Sequence, residues 1–176
     1  MRNATVLVLL GLGCADMRGH DGRVPGEPLG TFHVTAALEA SSCGPGALGS
    51  APNWEFDVKL SRDGSRLFWL NGAAPVAGHV DPDGRSFGFE TTVTIEVEPA
   101  RADRPGCLVE RVDRAAGTLE ATGSEVTGFE GTLEYAYSVA SDADCSSLVG
   151  VKGGFASLPC SLGYAMAATQ TEGAQD

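Results

Sequence analysis

Five cysteines and three histidines carry most of the reactive chemistry in this chain. Cys14 closes an apolar run near the start. Cys43, Cys107, Cys145 and Cys160 follow at separations of 64, 38 and 15 residues. None forms the C-x-x-C pair that a structural zinc site or a thioredoxin-like redox centre uses. The chemistry expected of these four is therefore disulfide formation, because an even set in an exported chain supplies two bridges. Three connectivities are open. The short loop favours Cys145–Cys160, with Cys43–Cys107. Cys43–Cys160 with Cys107–Cys145 is the main rival.

Catalytic chemistry finds no footing. There is no G-x-S-x-G, no H-E-x-x-H and no P-loop. His20 lies in a Gly/Pro-rich stretch, His33 on the polar side of an alternating segment, and His79 near a turn. None stands beside a Ser or Cys as a base beside its nucleophile. His79, Asp81 and Asp83 form an acid–base or metal-like group, but Asp81-Pro82-Asp83-Gly84 is the sequence a tight turn selects for backbone reasons. The same four residues lack the third acidic position and closing Glu of a calcium loop. Asp142 and Asp144 read as loop solvation. Glu90, Glu96, Glu98, Glu110, Glu120, Glu130 and Glu134 are spread along polar faces rather than opposed across a cleft, as glycoside hydrolysis would need. Catalytic residues, cofactors and metals are thus expected to be absent.

The N-terminus concerns address. Met1-Arg2-Asn3 is a short cationic start, and Ala4 to Gly13 is a ten-residue apolar run. Ten residues fall short of the roughly 20 that span a bilayer and suit the core of a secretory signal. The run ends in small Gly13 and then Cys14. Leu10-Gly11-Leu12-Gly13-Cys14 resembles the lipobox of bacterial lipoproteins, although Leu lies four residues before the Cys rather than three. The resemblance implies lipidation of Cys14, a signal peptide over 1–13, and attachment to a membrane. Ala15, in place of a retention Asp, implies the outer membrane, on its periplasmic or surface side. Residues 14–29, polar and rich in Gly and Pro, read as a tether.

Beyond the tether, hydrophobicity alternates with a period of two, the mark of half-buried strands. Phe32, Val34, Ala36 and Leu38 share one face. So do Trp54, Phe56, Val58 and Leu60, and so do Phe87, Phe89, Thr91, Val93, Ile95 and Val97. Phe129, Leu133, Tyr135 and Tyr137 form another stripe, and Leu162, Tyr164, Met166 and Ala168 the last. Cys107 to Val112 and Gly117 to Thr122 are expected as two strands joined near Arg114. Arg62-Asp63-Gly64, Asn71-Gly72 and Asp81-Pro82-Asp83-Gly84 supply tight turns. No segment has a helical period. The fold expected is all-β: an antiparallel up-and-down β-barrel of about 8–9 strands over residues 30–170, with a two-sheet β-sandwich as the alternative. Residues 171–176 read as a disordered tail. The order of elements resembles small lipocalin-like and avidin-like barrels. No G-x-W stands near the first strand, so that likeness carries no ligand.

The chain of 176 residues has 12 Lys+Arg against 23 Asp+Glu, a net charge of −11. That balance opposes sequence-independent nucleic-acid binding, which depends on cationic surface. Trp54, Phe56, Phe87, Phe89, Phe129, Tyr135, Tyr137 and Tyr164 lie on apolar stripes, as a filled core or as the lining of a ligand cavity. The function expected is a non-enzymatic binding module at the cell envelope, for an apolar small molecule or a protein partner. A structural or adhesive envelope component is the alternative, and a hydrolase comes third.

Overall fold

A computed structural model describes residues 25–45, 47, 51–72, 74–150 and 154–172. The apolar start, Cys14 and the tether as far as residue 24 lie outside the described residues. Eight antiparallel strands close into a barrel in sequence order. They are β1 (Glu27–Ser41), β2 (Asn53–Asp63), β3 (Arg66–Leu70), β4 (Val76–Val80), β5 (Ser86–Glu98), β6 (Cys107–Thr122), β7 (Glu125–Val139) and β8 (Cys160–Glu172). β8 pairs with β1 and completes the ring, so the ladder has no overall edge. One short 3-10 turn, Ser146–Leu148, interrupts the long β7–β8 connection.

The alternation read from sequence sets the inner face. Phe32, Val34, Val58, Leu60, Leu67, Phe87, Leu119, Phe129, Leu162, Tyr164 and Met166 are all buried. β6 and β7 face each other at the pair Gly117 and Gly131. A Cβ on Gly131 would run into the Ala116 carbonyl, so only glycine permits this spacing.

Four expectations are corrected. The two short strands around Arg114 are one 16-residue strand, β6. Asp113 points inward and Arg114 outward, so charge falls on both faces there and a continuous strand looks like two. The first strand begins at Glu27 and the last ends at Glu172, so residues 27–29 and 171–172 belong to the barrel rather than to tether or tail. Asn71-Gly72 starts a connection that runs to Pro75, longer than a two-residue hairpin. Finally, the preferred cysteine pairing is wrong. Cys43 bonds Cys160 and Cys107 bonds Cys145. Barrel closure is the reason: the end of β1 lies beside the start of β8, which brings Cys43 to Cys160 across 117 residues.

The barrel is uneven in height. β3 and β4 have 5 residues each, against 13 to 16 in β5, β6, β7, β8 and β1. β3 reaches β2 only from Lys59 to Asp63, and β4 reaches β5 only from Phe87 to Phe89. Above that level β2 pairs only with β1 and β5 only with β6. The lumen is therefore open on that side. This explains why Val93, expected inside, is 40% exposed, and why Ile95 is only half-buried. The direction of the alternation holds, with Glu90, Thr92, Thr94 and Glu96 exposed on the outer face.

Candidate functional site

The lumen has two levels. The lower one is filled by rings. Phe129 sits between Phe32, Trp69 and Phe87, with centroid distances of 5.8, 5.7 and 5.6 Å. Above it, where β3 and β4 end, a cavity of about 100 Å³ opens toward the mouth. Trp54 and Phe56 from β2, Trp69 from β3, Phe89 and Thr91 from β5, Asp113 from β6 and Tyr135 from β7 are among its walls. The rings interlock: Trp54 stacks on Phe56 at 4.6 Å, Phe56 meets Trp69 at 6.0 Å, and Trp69 meets Phe89 edge-on at 5.5 Å. Such contacts fix ring positions as well as burying area.

Four of the eight aromatics named from sequence line this cup: Trp54, Phe56, Phe89 and Tyr135. Phe87 and Phe129 belong to the filled floor. Tyr164 backs the cup from behind Trp54, at 6.2 Å. Tyr137 packs under the β7–β8 connection against Phe155, at 5.4 Å.

Sequence reasoning missed Trp69, Arg111 and Asp113. Trp69 sits two residues after buried Leu67, a period-two signal in a strand too short to display it. Arg111 and Asp113 are also two apart, so β6 presents both to the lumen. The Arg111 Nε and Nη2 donate to the two Asp113 oxygens at 2.6 and 2.7 Å. The guanidinium also lies 5.1 Å from the centre of the Tyr135 ring and donates to the Tyr137 hydroxyl. Arg111 is nearer the rim and Asp113 faces the cavity. Burial, with Asp113 beside it, pushes the Tyr135 phenol well above its ordinary range, so it stays protonated and serves as a ring and a hydroxyl.

Among the described residues the buried Trp54 Nε1 meets no hydrogen-bond acceptor. Leaving such a donor unmet costs about 1–3 kcal/mol.

Other groups singled out from sequence lie elsewhere. Asp83 accepts from the backbone N–H groups of Arg85 and Ser86 and from the Ser86 hydroxyl, which holds its carboxyl below the usual range. It is the turn-former expected. His79 is exposed, with its Nε2 3.7 Å from Asp81. Asp144 accepts from the Ser146 N–H and shapes its loop. Among the described residues no cluster of three or more His, Cys, Asp or Glu is arranged to hold a metal. A broader depression of about 730 Å³ crosses the outer faces of β2, β1, β8 and β7, over small residues such as Thr35, Ala37, Ala165 and Ala167. It is larger than the cup and includes the carboxylates of Glu55 and Glu130, but it lies open on the outer wall rather than inside the lumen, so the cup is the better candidate.

His33 sits on the outer wall. Its Nδ1 is 2.8 Å from Asp57 and its Nε2 3.6 Å from Glu55. The Asp57 hydrogen bond, against a smaller opposing effect of burial, raises its pKa above the ordinary 6.5. A raised histidine favours the folded state most at low pH. That contribution is complete below pH 6.5 and is lost as pH rises through the folded-state value. An NMR titration of the His33 ring should show a midpoint above 6.5 that falls in Asp57→Asn. A midpoint unchanged by the substitution would remove Asp57 as the cause.

No protein family model, curated protein or solved structure matches this chain.

Proposed function

We propose that this protein is an exported, non-enzymatic binding module that holds the apolar end of a small ligand in the mouth of its barrel. One observation carries the reading: a lumen packed solid at one level and opened at the next into an aromatic cup that short β3 and β4 leave accessible. Small-ligand sites combine apolar walls with a few placed polar groups, and Asp113 and Thr91 supply those here. An apolar cavity of ~150 Å³ takes a benzene ring, so this cup suits one compact group of roughly four or five non-hydrogen atoms, with the rest of the ligand outside.

The two disulfides fit an oxidising compartment. With the apolar run before Cys14, they support a lipid-anchored protein of the cell envelope, on the outer membrane. Mature protein from its native host should carry a diacylglyceryl mass on Cys14, and Cys14→Ser should release it from membranes. An unmodified Cys14 in the mature protein would end the anchoring proposal.

Trp54 and Trp69 are the only two tryptophans of the chain, and both line the cup. Their emission therefore reports occupancy. Among compact branched or single-ring molecules, neutral and charged, at least one should shift this emission saturably, with a Kd between about 1 μM and about 1 mM. Trp54→Phe should weaken that binding. If no member of the set produces a saturable change, the binding proposal fails.

A further inference from the structure

The walls of the cup suggest what kind of group it takes. This step rests on the binding-module reading and names the ligand class for the same cavity. We propose that the cup receives a small alkylated ammonium group, such as the trimethylammonium end of a choline-like molecule.

Three observations converge. First, Trp54, Phe56, Trp69, Phe89 and Tyr135 surround one compact cavity. Rings grouped about a cavity of this size suit a quaternary ammonium, whose methyl groups bury like hydrocarbon while its charge is drawn to the π-faces. Second, a carboxylate stands among them, for Asp113 lines the same cavity. It is also paired with Arg111, and a quaternary ammonium, which has no N–H to donate, would meet it through charge alone. Third, the protein already stabilises a cation at this rim by the same two means. The Arg111 guanidinium rests on the Tyr135 ring and is paired with Asp113. Arg111 approaches Asp113 from the rim, and the ligand's cation approaches from the cavity.

The charge of the whole chain works in the same direction. With a net charge of −11, the protein concentrates small cations around itself and repels anions. A methylated ammonium also gives up its hydration more readily than a bare ammonium, which suits a cup offering rings and only one carboxylate. An anionic ligand would meet Asp113 at the cavity wall. Arg111, its natural partner, is already committed to Asp113 and Tyr137.

The decisive comparison is between choline and 3,3-dimethylbutan-1-ol, the neutral molecule of the same shape. Both are titrated into the intact protein while Trp54 and Trp69 emission is followed. Choline should bind at least about tenfold more tightly than its neutral counterpart. Asp113→Asn should erase most of that preference. Arg111→Met should strengthen choline binding several-fold, because the carboxylate then faces the ligand alone. Equal binding of the two molecules overturns the cationic assignment and leaves the binding-module reading standing. No binding of choline overturns this proposal whichever way other molecules behave. No binding by any compact molecule overturns both. The wild-type comparison needs no substitution, so an Asp113 variant that fails to fold does not blunt the test.

Discussion

Replacing Cys43 and Cys160 together with alanine should cost about 5 kcal/mol of stability, the largest loss expected of any bridge in the molecule. The bridge spans 117 residues, and a cross-link removes more freedom from the unfolded chain as the loop it closes lengthens. Cys107–Cys145 spans 38 residues, and its removal should cost about 4 kcal/mol on the same reasoning. Single domains are stable by only about 5–15 kcal/mol, so the first variant stands near the edge of folding. The native barrel itself should persist under stabilising conditions. β1 and β8 remain paired from Phe32 with Gln170 to Ser41 with Leu162, and the bridge reinforces one end of that seam. Urea melts of the two double variants check this. A loss below about 1 kcal/mol for Cys43 and Cys160 would contradict the loop-entropy account, as would a clearly larger loss for the shorter loop.

The second large effect concerns the floor beneath the cup. Phe129→Ala should cost about 3–5 kcal/mol, because it removes a fully buried ring and leaves a hole that the barrel cannot collapse to fill. Phe32, Trp69 and Phe87 each contact this ring and belong to different strands tied by the ladder. Two substitutions on β5 calibrate the result. Ile95 is half-buried above the level of β4, so Ile95→Ala should cost only about 1–2 kcal/mol. Thr94 is exposed on the outer face, and Thr94→Ala should stay within about 0.5 kcal/mol. The order of the three losses, measured in one denaturant series, tests the two-level lumen directly. If Phe129→Ala cost no more than Ile95→Ala, the lower level could not be a packed floor.

The sequence by itself determined the class of fold and the sidedness of most strands. Trp54 to Leu60 and Phe87 to Glu98 alternate cleanly, and a one-residue slip would turn their charged residues into the core. Asp63-Gly64 and Asp83-Gly84 mark the sharp reversals between consecutive strands, with Gly64 and Gly84 at φ of +60° and +73°. Short-range signals of this kind suffice for a meander, and a meander of this length closes on itself. They also showed that four cysteines were available for bridging.

What only the tertiary structure decided depends on residues far apart in the chain. Cys43 meets Cys160 because the first and last strands are neighbours in a closed ring, a fact that no spacing along the chain contains. The same closure separates the aromatics into floor and cup. Phe129 and Tyr135 lie on one face of one strand with equal claim to either role, and the height of β3 and β4 across the lumen assigns them. Asp113 reads as part of a connection between two strands, and only the opposite wall shows it facing a cavity. The physical reason is common to all three cases. Alternation along a strand fixes which way a side chain points, whereas what it points at is fixed by strands that the chain reaches dozens of residues earlier or later.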